Sequence, residues 1–187
     1  MAVAIVYETH ATTEDNERGI STGWLHGRLS ALGRRQAVEL GLRRGGDGLA
    51  AVFTSDLHRA EETARIAFAG TGLPIHRDRR LRECDYGDLN GHPAEELAPL
   101  RVKHVDRPFP GGQSYRQVID ATRDLLHDLA SGFDGQRVVL IAHTANLWAL
   151  QVLLAGARIE ELVAAPFVWQ PGWVFTVSSS STTGPGR

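Results

Sequence analysis

Alternation is the feature that most restricts how this chain can fold. Apolar, β-rich segments at Ala2–Glu8, Ala50–Thr54, Leu73–Arg77, Arg137–Ala142 and Trp173–Val177 are separated by helical stretches. The helical candidates run over Ser30–Arg44, Asp56–Ala69, Ser114–Ala130 and Ala145–Ala155. Glycines close three of them: Gly45-Gly46, Gly70 and Gly156. Several strand candidates are continuously apolar, as expected of strands covered on both faces. The pattern predicts a three-layer α/β/α sandwich with a largely parallel central sheet. In such sheets ligands sit beyond the carboxyl ends of the strands. His10, the segment Ser55 to Arg59, and His143 all fall at such ends.

Two stretches break the alternation. Leu89 to Pro110 carries Pro93, Pro99, Pro108 and Pro110 with mixed charges, and reads as a broken helix or a surface excursion that roofs a site. The tail 178–187 is built of Ser, Thr, Gly, Pro and a final Arg, and reads as disordered after a single domain over 1–177. At 187 residues and 42% hydrophobic content, one well-buried core is the expectation.

Bulk charge narrows the partners. A net charge of -2 and the lack of a basic patch argue against nucleic acid and anionic membranes, leaving a small molecule. No apolar run approaches the roughly 20 residues of a membrane-spanning helix. The single Cys84 fits a reducing compartment, and the chain starts on a strand without a signal-like segment, so a cytoplasmic location is expected. His26, His58, His76, His92, His104 and His127 show no metal-ligand spacing and read as surface or loop residues. The four tryptophans, Trp24, Trp148, Trp169 and Trp173, read as core or rim.

Phosphoryl transfer to a histidine needs a neutral imidazole, donors around the phosphoryl oxygens and an acid for the leaving oxygen. Candidates for each are present in order. Thr9-His10-Ala11-Thr12-Thr13-Glu14-Asp15-Asn16 follows the first strand, and Thr22-Gly23-Trp24 and Leu29-Ser30-Ala31-Leu32-Gly33-Arg34-Arg35-Gln36-Ala37 come next. Ser55-Asp56-Leu57-His58-Arg59-Ala60-Glu61-Glu62-Thr63-Ala64 opens a helix, Leu81-Arg82-Glu83 precedes Tyr86-Gly87, and Pro110-Gly111-Gly112-Gln113-Ser114 precedes another helix. Val138 to Thr144 ends in the second histidine.

Over about residues 3 to 150, this ordered set resembles the histidine phosphatase superfamily, the group related to cofactor-dependent phosphoglycerate mutase. The resemblance implies that His10 is a nucleophile that becomes phosphohistidine, that Arg59 and His143 bind phosphoryl oxygens with help from Asn16, and that Glu83 is the acid and then the base. It places Thr22 and Gly23 at a substrate contact. It implies a phosphohydrolase acting on a small phosphorylated metabolite, without metal or cofactor. Mutases of the family carry a longer insertion after the acid loop than Leu89 to Pro110 provides, which favours hydrolysis.

Departures gather at the chemistry. Where the family has Arg-His-Gly-Glu, this chain has Thr9-His10-Ala11-Thr12, and Thr144 replaces the glycine after the second histidine. Threonine offers one neutral hydroxyl where arginine offers a charged planar fork. Losing such a donor costs on the order of 3 kcal/mol in the transition state, roughly a hundredfold in rate. Glu8 replaces an apolar residue: turned inward it would hold the imidazolium form of His10 and repel phosphate, and turned outward it is a solvated strand residue. The alternative function is therefore a degenerate member that binds a ligand, or runs another reaction, in the inherited pocket. Structural alternatives also stand for the site residues: two histidines capping strands, Arg59 paired with Glu62 on a helix surface, and Glu83 paired with Arg82 or Arg79.

Overall fold

The computed structural model describes residues 1–178. In chain order it forms β1 (Val3–Thr9), α1 (Glu14–Glu17), β2 (Ile20–Ser21), α2 (Ala31–Arg44), β3 (Ala51–Thr54), α3 (His58–Ala67), β4 (Ile75–Arg77) and β5 (His92–Pro93). There follow α4 (Ala94–Leu97), α5 (Tyr115–Gly132), β6 (Arg137–Ala142), α6 (Thr144–Ala155), α7 (Ile159–Ala164) and β7 (Trp173–Val177). The main sheet has the order β4-β3-β6-β1-β7. Its first four strands are parallel, and β7 joins the edge antiparallel to β1. The α/β expectation holds, with one antiparallel strand added.

The period-2 geometry of β1 sorts its side chains between the two helical layers. Val3, Ile5 and Tyr7 pack with Leu125 and Leu129 of α5 and with Leu147 and Leu150 of α6. Val6 faces the other way, with Val52, Val139 and Ile141, onto Leu40 of α2, Ala64 of α3 and Phe68 just after it. Glu8 follows Val6 on that second face, and this decides its environment.

Helix starts follow cap chemistry. The Ser30 and Ser114 side chains accept from the N–H groups of Gly33 and Gln117, so α2 and α5 begin one residue after the serines. Gly156, at φ +69°, ends α6 in the left-handed conformation that spares glycine a Cβ clash. Strand β4 is shorter than the predicted Leu73–Arg77 because Pro74 has no N–H for the ladder. Helix α3 starts at His58, two residues later than predicted, and ends at Ala67.

The proline-bearing stretch 89–110 forms β5, α4 and a 3₁₀ segment at Ala98–His104. It packs Leu97, Val105 and Phe109 against Tyr115 of α5 and Trp148 of α6. Strand β5 pairs with β2, which ties this excursion to the loop after α1. Apart from Ser178, the predicted tail lies outside the described residues.

Candidate active site

Parallel pairing of β1 with β6 delivers the two histidines together. Thr9 lies opposite Ala142 in the register, and His10 N–H donates to the Ala142 carbonyl at 2.9 Å. The His10 and His143 rings then lie 5.1 Å apart between centroids. His10 Nδ1 is 2.8 Å from the Ala11 carbonyl, which can only accept, so this contact places the proton on Nδ1. Nε2 is left with its lone pair, and Arg59 Nε donates to it at 3.3 Å. Burial first, and then the Arg59 charge, lower the His10 pKa from its ordinary 6.5 to about 3, with the Ala11 carbonyl opposing. The imidazole is thus neutral at physiological pH.

The loop after His10 is held by side chains rather than by a sheet. Ala11 N–H donates to Thr63 Oγ1 and Thr12 N–H to Gln36 Oε1, tying the loop to α3 and α2. Thr13 caps α1, and Asn16 Oδ1 accepts from Thr13 N–H, completing a capping box. Gly33 packs so tightly that a Cβ there would lie 1.9 Å from the Thr12 carbonyl.

Arg59 is 2% exposed, not a surface residue paired with Glu62, whose partners are Arg34 and His58. Its Nη2 donates to the Gly23 carbonyl at 2.7 Å and its Nη1 to the Leu25 carbonyl at 3.3 Å. Thr22 donates its hydroxyl to Asp15. Gly23 has φ +56°, and a Cβ there would collide with Asn90. The structure therefore brings Gly23 to Arg59 as part of its cradle and ties the neighbouring Thr22 to Asp15. His143 Nε2 lies 2.7 Å from Ser55 Oγ, and Asn146 accepts from the His143 backbone N–H. Burial, with Arg59 and His10 adding to it, holds the His143 pKa well below the ordinary histidine value.

Glu83 is buried, not paired with Arg82 or Arg79. One carboxylate oxygen accepts from Cys84 N–H at 2.8 Å, and the Glu83 carbonyl accepts from Trp24 Nε1 at 2.6 Å. Arg82 is instead clamped on Asp56 by two 2.6 Å bonds, with its guanidinium 4.6 Å from the Trp24 ring centre. Burial raises the Glu83 pKa against the lowering effects of Cys84 N–H, Arg59 and Arg101. Cys84 is a packed residue whose thiol is pushed up by burial and by Glu83 and Asp85.

Thr9 and Thr144 border a cavity of about 670 Å³ that also contains His10, Ala11, Thr12 and Asn16. Its other wall is α2, through Gln36, Glu39, Leu40 and Arg43, and exposed Phe167 and Trp169 stand at its rim. Glu8 also lines it, but is 1% exposed and is held by Arg44 Nε at 2.8 Å and by Arg43 Nη2 at 3.2 Å to each oxygen. Glu8 thus points inward, and the expected consequence does not follow. Its charge is matched by two guanidiniums, and His10 responds to burial, Arg59 and Ala11 instead.

Sequence reasoning missed the roles of Ser55 and Arg101. Ser55 lay inside the recognised Ser55–Ala64 motif, so a signal existed. Arg101 sits in the irregular 89–110 segment and had none.

A family model described as histidine phosphatase superfamily (branch 1) matches residues 9–170. The chain belongs to this superfamily. A 2,3-bisphosphoglycerate-dependent phosphoglycerate mutase of Methylobacterium radiotolerans is 33% identical, over 95% of this chain and 93% of its own. The mycobacterial glucosyl-3-phosphoglycerate phosphatase solved with VO3 has 29% identity and a TM-score of 0.76, covering 88% of this chain and 87% of its own. Bacillus stearothermophilus YhfR has 26% identity and a TM-score of 0.80, over 93% and 90%. Both phosphatases and mutases are thus among the superfamily members it resembles. Among the described residues, no helix is long and apolar enough to cross a membrane.

Proposed function

We propose that this protein is a metal-independent phosphohydrolase that removes the phosphoryl group of a small phosphorylated metabolite through phospho-His10. The observation that carries this reading is the state of His10: a buried neutral imidazole with its proton on Nδ1 and its Nε2 lone pair facing a buried arginine. A histidine that merely caps a strand needs neither feature.

In the first step Nε2 attacks phosphorus, the ester P–O bond breaks, and the leaving oxygen takes the Glu83 proton. The raised Glu83 pKa keeps that proton available. Arg59 Nε–H transfers its hydrogen bond from Nε2 to a phosphoryl oxygen as the lone pair is consumed, while its terminal nitrogens stay anchored on Gly23 and Leu25. His143, Asn16, Thr9 and Thr144 supply further neutral donors. In the second step the Glu83 carboxylate takes a proton from water, the water oxygen bonds phosphorus, and the P–N bond breaks to release phosphate and neutral His10. Gly23 acts through Arg59, and Thr22 holds Asp15.

The test is phosphate release from a panel of phosphomonoesters, with alkaline quenching and mass analysis of the His10 peptide for phosphohistidine. Wild type releases phosphate and labels His10, and His10→Ala does neither. No release from wild type together with strong release from Thr9→Arg would overturn the reading in favour of a repurposed pocket. Because of the mutase relatives, the same assay includes 2,3-bisphosphoglycerate with phosphoglycerate; isomerisation outrunning phosphate release would replace hydrolysis by transfer.

A further inference from the structure

We propose that Arg43, from the last turn of α2, supplies from the cavity beside His10 the cationic donor that position 9 lacks. The inference rests on the phosphohydrolase reading only for its kinetic test. Arg59, Glu83 and His143 lie outside the lining of the cavity that holds His10, Thr9 and Thr144, and the one arginine or lysine among its described lining residues is Arg43. Gln36, Glu39, Leu40 and Arg43 follow helical spacing along one face of α2. The first of them binds the Thr12 N–H, so this face is fixed against the loop that carries His10.

Glu8 places the guanidinium. It shares a face of β1 with His10, two strand steps away, a Cα separation of roughly 7 Å. Its two arginines are not equivalent. Arg44 is engaged through all three guanidinium nitrogens, on Glu8, on Asp47 and on the Pro171 carbonyl, and its side chain is 13% exposed. Arg43 meets Glu8 through Nη2 alone, at 3.2 Å, and its side chain is 30% exposed. Arg44 therefore keeps Glu8 compensated while Arg43 retains donors for a second anion. A rotamer change along the open cavity turns those donors toward the phosphoryl group, in the forked geometry that suits phosphate. Two oddities then become one arrangement: the charge expected from β1 at position 9 comes from α2, and Glu8 is the residue that holds it there.

The test is a double-mutant cycle between Thr9→Arg and Arg43→Ala, read as kcat/KM for a phosphomonoester and as the affinity for inorganic phosphate by calorimetry. Arg43→Ala weakens both by roughly ten- to a hundredfold in the Thr9 protein, as loss of a charged donor implies. In the Thr9→Arg protein the loss shrinks severalfold, because the two arginines serve one anion. Arg43→Lys keeps charge without the fork and falls between. Glu8→Gln/Arg43→Met removes the pair together and guards against misfolding from an uncompensated carboxylate; it shows the same loss of phosphate affinity. Unchanged phosphate affinity in Arg43→Ala, or equal losses in both backgrounds, overturns the proposal. If wild type binds phosphate through Arg43 but hydrolyses no ester, the phosphohydrolase reading falls and this one stands. If wild type hydrolyses esters and Arg43 is silent, the reverse holds. Absence of both phosphate binding and turnover overturns both.

Discussion

Neutral His10 should be visible as a pH dependence of stability. In the unfolded chain His10 titrates near 6.5, whereas burial and Arg59 lower it to about 3 in the folded protein. Between these values the unfolded state binds a proton that the folded state refuses. Stability therefore falls as pH drops through 6.5 and goes on falling until about pH 3, where the folded protein is protonated too. From pH 7.5 to pH 4.5 the difference amounts to about two pKa units, or about 2.7 kcal/mol for this residue alone. His143, whose pKa is also depressed, adds a share of its own in the same direction.

The assay is urea unfolding of wild type and His10→Asn at both pH values. Asparagine keeps an N–H that can reach the Ala11 carbonyl but cannot be protonated. Wild type is expected to lose about 2 to 3 kcal/mol more than the variant on acidification. Parallel losses would show that His10 keeps an ordinary pKa when folded, and the argument for a prepared neutral nucleophile would fail with it. The same comparison separates His10 from the many carboxylates, which titrate equally in both proteins.

Activity should follow the two perturbed groups. The acid limb of kcat/KM reports His10 near pH 3, and the alkaline limb sets in as Glu83 ionises above the usual carboxylate range, so stopped assays across pH 3 to 9 should show activity falling on the alkaline side first. In single-turnover phosphorylation of His10, Glu83→Gln should slow alkyl phosphates by roughly a hundred- to ten-thousandfold while sparing p-nitrophenyl phosphate, whose leaving group needs no proton; equal losses for both in that step would remove Glu83 as the acid. Arg44→Met should destabilise by about 3 kcal/mol in thermal or urea melts, because Glu8 stays buried with only the weaker Arg43 contact. Gly33→Ala drives a Cβ against the Thr12 carbonyl, and should lower activity more than Gly46→Ala, whose Cβ meets nothing within 4 Å.

What could be read in advance divides along chain distance. His10 and His143 were legible because parallel strands carry their ends to the same edge, and a strand end is a local pattern. Arg59 and Glu83 were legible through motifs only a few residues long. Caps at Ser30 and Ser114 came within a residue for the same reason. The short elements β2, β5 and α7 were not seen, since two to six residues carry no period and their pairing partners lie far off.

Glu8 shows the limit most clearly. Strand alternation could place it on the His10 side of β1, but its meaning depended on Arg43 and Arg44, 35 and 36 residues later. Inside a helix those two arginines look like ordinary C-terminal charges that complement the dipole. Only when α2 lies against the carboxyl end of β1 does the isolated carboxylate become a compensated one, and only then does the missing arginine at position 9 acquire a candidate replacement. Local sequence thus reveals which groups gather at the candidate site, while the charges around Glu8 are fixed by the packing of α2 on the sheet.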